Sequence, residues 1–234
     1  MIKKIFKKIK YLYKIILSNN NLQISYSQEG EDLILKRIFS KKKNGIFIDI
    51  GAHHPTRFSN TYIFYLSGWK GINIDPNPGI MDIFNKVRPN DINLELGISK
   101  SQDFLTYYQF NEPALNTFSK EEAVLKENQN KGLYKIINQI NIKTFPINVI
   151  LDNYLKKGTI IDFMTIDVEG LDLEVLKSNN WEKYRPTYIL VEELRSNITD
   201  LISNSEINSF LVDKNYSFYH RTYNTSFYKD NFSN

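Results

Sequence analysis

The order of apolar and polar positions divides the chain into alternating short strands and helices. GIFIDIG (45–51), GINIDPN (71–77) and TIIDFMTIDVEG (159–170) are apolar runs that close on an acid, and TYILVEEL (187–194) carries two acids near its end. Continuous rather than alternating hydrophobicity marks strands covered on both faces, as in a parallel sheet. DINLELGIS (91–99) predicts a further strand, and DFLTYYQF (103–110) an added one in a hairpin with it. Helical patterns run from about Gln28 to Phe39, Ser59 to Ser67, Ile80 to Val87, Leu171 to Leu176 and Ile198 to Asp213. Residues 119–140 read as a polar, weakly amphipathic helix, FPINVILDNYL as a strand entering a short helix, and YSFYHRTYNTSFYK as a β-rich tail. The alternation predicts an α/β fold with a mostly parallel, doubly wound sheet and an antiparallel C-terminal edge.

One segment stands apart. Residues 1–17, MIKKIFKKIKYLYKIIL, hold six lysines and no acid. Drawn as a helix, Ile2, Ile5, Phe6, Ile9, Leu12, Tyr13 and Ile16 gather on one side and lysines cover the other. It is too short and too charged to span a bilayer, and it lacks the apolar core and small-residue cleavage site of a secretory signal. Two readings stay open: a helix resting on anionic lipid, or a packed or frayed helix with solvated lysines. The expected division is residues 1–22 as basic helix and linker, and 23–234 as one domain. A cytoplasmic location is expected, at the inner face of the membrane if the first reading holds. Without this segment the chain carries a slight acid excess, so a nucleic-acid partner is not expected and a small-molecule or glycan substrate is.

Composition removes other classes. There is no cysteine, which excludes disulfides, thiolate metal sites and cysteine nucleophiles. His53, His54 and His220 are the three histidines, and no HExxH pattern exists to support a zinc hydrolase.

The candidate chemistry stands at strand ends, where open α/β sheets bind ligands. The first strand stops at Asp49, followed by Gly51 and Ala52; the second stops at Asp75. A carboxylate at the second position can accept both hydroxyls of a ribose. That acid is shared by dinucleotide and S-adenosylmethionine sites, and the glycines separate them. GAHHPTRFSN offers no GxGxxG to cradle a pyrophosphate, so a ligand with an ammonium and a carboxylate in its tail fits better. Asp167 and Glu169 follow the strand at 159–170, and Glu192 ends the next. These acids suit a general base for an acceptor hydroxyl or ligands for a hard cation such as Mg²⁺; helix capping is the bland alternative. His54 or its neighbour His53 could also serve as base near neutral pH. A nucleotide-dependent oxidoreductase or epimerase on the same sheet lacks both its glycine pattern and any YxxxK. A non-catalytic, membrane-docked module would not need every acidic strand end.

The motifs together resemble the FkbM family of methyltransferases. The matching segments are YSQEGEDLIL (26–35), GIFIDIGAHHPTRFSNTY (45–62), GWKGINIDPNPG (68–79), DINLELGIS (91–99), FNEPALNTFS (110–119), IDFMTIDVEGLDLEVLK (161–177) and RPTYILVEE (185–193). The resemblance implies a Rossmann-like class I methyltransferase fold, S-adenosylmethionine as cofactor, and O-methylation in polysaccharide, glycolipid or natural-product pathways. By it, Asp49, Gly51 and Ala52 approach the methionine part, Asp75 holds the ribose, and Pro76 and Asn77 shape the adenosine wall. Tyr26, Gln28 and Glu31 belong to an N-terminal motif expected to fold over the cofactor. GAHHP departs from the GAN-type loop of many relatives, and residues 1–17 lie outside the resemblance.

Overall fold

A computed structural model of the chain describes residues 2–18, 22–129, 132–194 and 197–233. In chain order the elements are α1 (Ile2–Ser18), α2 (Glu31–Ile38), β1 (Ile46–Ile50), α3 (Tyr62–Leu66), β2 (Lys70–Asp75), α4 (Ile80–Val87), β3 (Ile92–Glu95), β4 (Gly97–Ile98) and β5 (Asp103–Phe110). After a 3₁₀ turn at Pro113–Leu115 come α5 (Lys120–Gln129), β6 (Ile136–Phe145), α6 (Ile147–Tyr154), β7 (Phe163–Ile166), α7 (Asp172–Lys177) and β8 (Tyr188–Glu192). The chain closes with α8 (Ile198–Asn204), α9 (Glu206–Asp213), β9 (Tyr216–Arg221) and β10 (Thr225–Asp230).

Seven strands form the main sheet in the order β3-β2-β1-β7-β8-β10-β9. β1 pairs in parallel with both β2 and β7, so strand order reverses there. The apolar runs are buried because helices cover both faces. Ile48, Ile50, Ile72 and Ile166 pack into one cluster with Leu211 and Trp181, while Phe47, Phe163 and Leu190 pack into the other with Leu35 and Trp69. Period-two alternation along β1 therefore sends Asp49 toward the side of Phe47.

Several expectations are corrected. The C-terminal tail does add an antiparallel hairpin at the sheet edge, with one refinement: the reversed strand is β10, antiparallel to both β8 and β9, so the outermost β9 is aligned with the parallel set. The segment 91–99 divides, with β3 in the main sheet and β4 in a second sheet of order β4-β6-β5. Residues 103–110 pair with β6, not with 91–99. The helix expected over 119–140 stops at Gln129, because INQINIKTF turns Ile140, Ile142 and Thr144 inward at period two, as a strand. The helix expected over 198–213 breaks at Ser205, whose hydroxyl accepts the Asn208 N–H to cap α9 while donating to Glu193.

Candidate active site

A cleft of ≈ 470 Å³ opens where β1, β2, β7 and β8 end, within the roughly 300–1,000 Å³ of small-molecule sites. Ile50, Gly51, Ile74 and Asp75 border it from the main sheet. Tyr107, Leu115 and Asn116 border it from the small sheet and the 3₁₀ turn. Its position is the one that the reversal of strand order dictates.

Gly51 lets the strands converge. Its φ of 81° favours glycine, and a Cβ there would stand 1.8 Å from the Asp167 carbonyl oxygen. Its N–H and that of Ala52 both donate to the Ile74 carbonyl, which ties the turn to β2. Asp75 then receives the backbone N–H groups of His53 and Asn77, one on each carboxylate oxygen, both at 2.8 Å. Each oxygen keeps a lone pair for a ligand. Burial pushes its pKa up to about 6 against the pull of those two N–H groups, and the charges of Asp49 and Glu95 add to the rise.

Asp49 does not share this wall. Its carboxylate accepts the Thr61 hydroxyl at 2.5 Å, and Thr61 in turn accepts Arg88 Nη1 at 3.0 Å. Arg88 Nε donates to Asp91 at 2.9 Å, which completes a buried chain beneath the sheet. Burial raises the Asp49 pKa while Arg88 lowers it. Asp49 and Asp75 were expected to face one ligand together; Asp75 and Gly51 border the cleft, and Asp49 does not.

Other expected residues divide in the same way. Pro76 and Gln28 line the cleft. Ala52 packs beneath it with Ile80, Met81 and Phe84. Asn77 Oδ1 accepts the amides of Gln109 (3.3 Å) and Asn116 (3.4 Å), so it joins the turn to the small sheet. Tyr26 stands edge-on to Tyr62 with ring centroids 4.8 Å apart. Glu31 is buried and accepts the Thr222 hydroxyl at 2.9 Å, fastening the N-terminal motif to the β9–β10 turn. Of that motif's three residues, Gln28 alone borders the cleft.

Of the two candidate histidines, His53 borders the cleft and His54 does not. The His54 Nδ1 accepts the N–H groups of Thr56 (3.2 Å) and Arg57 (3.1 Å) and so caps the turn. His53 is held at φ 51°, with a buried Nε2 that has no hydrogen-bond partner. Burial first, and then the Arg57 and His54 charges, lower the His53 pKa, which keeps the ring neutral near pH 7.

A family model described as "Methyltransferase FkbM domain" matches residues 49–218, most of the chain. The chain belongs to this family. No curated protein matches it at a significant level. The FkbM match begins at the first strand-end acid and runs into β9, so it takes in Asp75 and the acids of β7 and β8.

Those acids form the second feature of the cleft. Carboxylate oxygens of Asp167, Glu169 and Glu192 all lie within 4.8 Å of one another. Glu169 is held at φ 54°, with its backbone carbonyl receiving the Thr117 hydroxyl at 2.7 Å and its carboxylate receiving Lys126 Nζ at 2.5 Å. Asp167 is exposed and borders the cleft. Desolvation by the protein around the cleft, followed by the charges of Glu192, Glu169 and Asp172, pushes its pKa well up. Glu192 rises to about 8, from burial and then from the Glu169 and Asp172 charges. The trio could hold a hard divalent cation by donor type, with Lys126 already supplying positive charge at Glu169. Asp172, the first residue of α7, ties down the loop before it by accepting the N–H groups of Val168 (3.2 Å) and Gly170 (3.3 Å).

Sequence reasoning missed the cleft mouth. Arg57 on the loop after β1 pairs with Glu112 beside the 3₁₀ turn at 3.6 Å, and its guanidinium lies 4.4 Å from the centroid of Phe58. Phe58 has φ 54° and is exposed beside the cleft. The one available signal was an aromatic in a loop otherwise made of polar, Ala, Gly and Pro positions.

Proposed function

We propose that this FkbM methyltransferase uses S-adenosylmethionine to methylate a hydroxyl oxygen, on a sugar of a surface polysaccharide, glycolipid or related glycan. The observation that carries this reading is Asp75: a buried carboxylate at the tip of β2, oriented by two backbone N–H groups and open to the cleft. No GxGxxG cradle stands beside it for a pyrophosphate. The residues present suit the cofactor. Asp75 offers free lone pairs to ribose hydroxyls, Glu169 offers negative charge to an ammonium, and the unpartnered His53 Nε2 awaits a polar group.

S-adenosylmethionine, when bound, supplies a methyl group already activated for transfer. The protein's own work is then alignment and proton removal. Asp167 takes the acceptor proton in this proposal. Desolvation by the surrounding protein, and then the neighbouring acids, raise its proton affinity, which makes it a stronger base than an ordinary carboxylate. Aromatic side chains of Phe58 and Tyr134 border the same cleft and offer faces for a sugar ring, while the acids offer acceptors to its hydroxyls.

Calorimetry with S-adenosylhomocysteine and with NADH tests the reading. Binding of the first and not the second supports it. The reverse result returns the chain to the oxidoreductase alternative, and binding of neither favours a non-catalytic module.

A further inference from the structure

We infer that α1 is a docking element for an anionic lipid surface. Among its described side chains, Ile5, Phe6 and Ile9 are 52%, 67% and 56% exposed, so the protein's own body does not cover them. Lys4, Lys7, Lys8, Lys10 and Lys14 are exposed as well. At about 100° per residue the sequence positions Ile2, Ile5, Phe6, Ile9, Leu12 and Ile16 fall within an arc of about 120°, and all six lysines fall in the opposite arc. An arc of that width is a face and not a seam. The helix has no acid anywhere, and among the described residues no helix is long and apolar enough to cross a membrane.

Charge selects the occupant. A second copy of α1 would cover the apolar face but add a second set of lysines, with no acid in the helix to offset the combined positive charge. A neutral bilayer would accept the apolar face but offer nothing to the cations. An anionic surface satisfies both: the apolar face enters the boundary between headgroups and acyl chains while the lysines lie along the phosphates. The inference does not depend on the reaction proposed above, since it uses no residue of the cleft.

The test is co-sedimentation of the full chain with vesicles of phosphatidylcholine, alone or mixed with phosphatidylglycerol. Binding is expected to the mixed vesicles only, and to weaken in 1 M salt, where the screening length falls to about 3 Å. Lys4→Gln, Lys7→Gln and Lys8→Gln together are expected to lower the partition coefficient roughly 100-fold, at about five-fold per lysine. Ile5→Glu with Phe6→Glu is expected to abolish binding while leaving the thermal melt of the body unchanged. Equal binding to neutral vesicles, or indifference to these substitutions, overturns the inference. So does light scattering that shows a dimer dissolved by Ile5→Glu, because a second copy would then be the occupant.

Discussion

Replacing Asp75 by Asn is expected to stabilise the protein at neutral pH while weakening its hold on the cofactor. Asp75 is 6% exposed, and its pKa rises from 3.8 to about 6 on folding. Two units at about 1.4 kcal/mol each place roughly 3 kcal/mol against the native state once the carboxyl is ionised. Folded Asp75 holds its proton more tightly than the unfolded chain does. Its contribution therefore favours the native state at low pH and is lost as pH climbs from about 4 to about 6. Asn removes the charge but keeps one acceptor, so one of the N–H groups of His53 and Asn77 loses its partner, at about 1–3 kcal/mol. The balance at pH 7.5 runs from no change to a gain of about 2 kcal/mol; at pH 4 it is a loss of about 1–3 kcal/mol. At about 2–4 °C per kcal/mol for a chain of this size, the Tm of Asp75→Asn relative to the parent moves upward by roughly 6–12 °C between those pH values. Loss of charge-assisted bonds to ribose lowers affinity roughly ten- to hundred-fold. Thermal melts at both pH values, with and without S-adenosylhomocysteine, read both effects. A Tm difference that ignores pH refutes the electrostatic argument, and equal stabilisation by the ligand refutes the placement of the ribose.

Further outcomes follow from the same geometry. His53→Gln is expected to lower ligand affinity or turnover at least ten-fold, while His54→Gln leaves kcat within a few-fold and costs about 1 kcal/mol in a denaturant melt as the turn loses its cap. Asp167→Asn is expected to cut kcat by about 10²–10⁴ with binding of S-adenosylhomocysteine retained; unchanged turnover would remove Asp167 as base. Gly51→Ala is expected to prevent accumulation of folded protein, because its Cβ would collide with backbone at 1.8 Å. Binding of the sulfonium-bearing cofactor is expected to release protons from the crowded acids near pH 7.5, since a cation lowers the pKa of Glu192 from about 8. Calorimetry in two buffers of different ionisation enthalpy detects that release, and identical enthalpies would count against it.

Legibility in the sequence followed the strength of the hydrophobic signal. β1, β2, β7 and β8 were readable because both of their faces are buried, and the acids at their tips were readable with them. β6 was not, because its exposed face is lined by Ile137, Gln139 and Lys143 and its inner face shows only at period two. Its partner β5 was consequently given the wrong neighbour, and the wall that Tyr107 and Asn116 add to the cleft stayed hidden.

Placement at a strand tip and orientation at that tip are separate questions. Asp49 and Asp75 occupy equivalent-looking ends, yet Asp49 lies one residue before the end of β1, whereas Asp75 is the last residue of β2. Alternation along β1 puts Asp49 on the side of Phe47, where Thr61 and the Arg88 chain receive it; at the end of β2 Asp75 borders the cleft. The same distinction separates His53 from His54, since a left-handed φ at His53 decides which imidazole enters the cleft, and no local preference of a histidine pair encodes it. Backbone strain at His53, Phe58 and Glu169 surrounds a single cavity, and such strain persists only where the surrounding fold over-determines it. The residues whose orientation was hardest to read are thus the ones whose strained backbone surrounds the cleft.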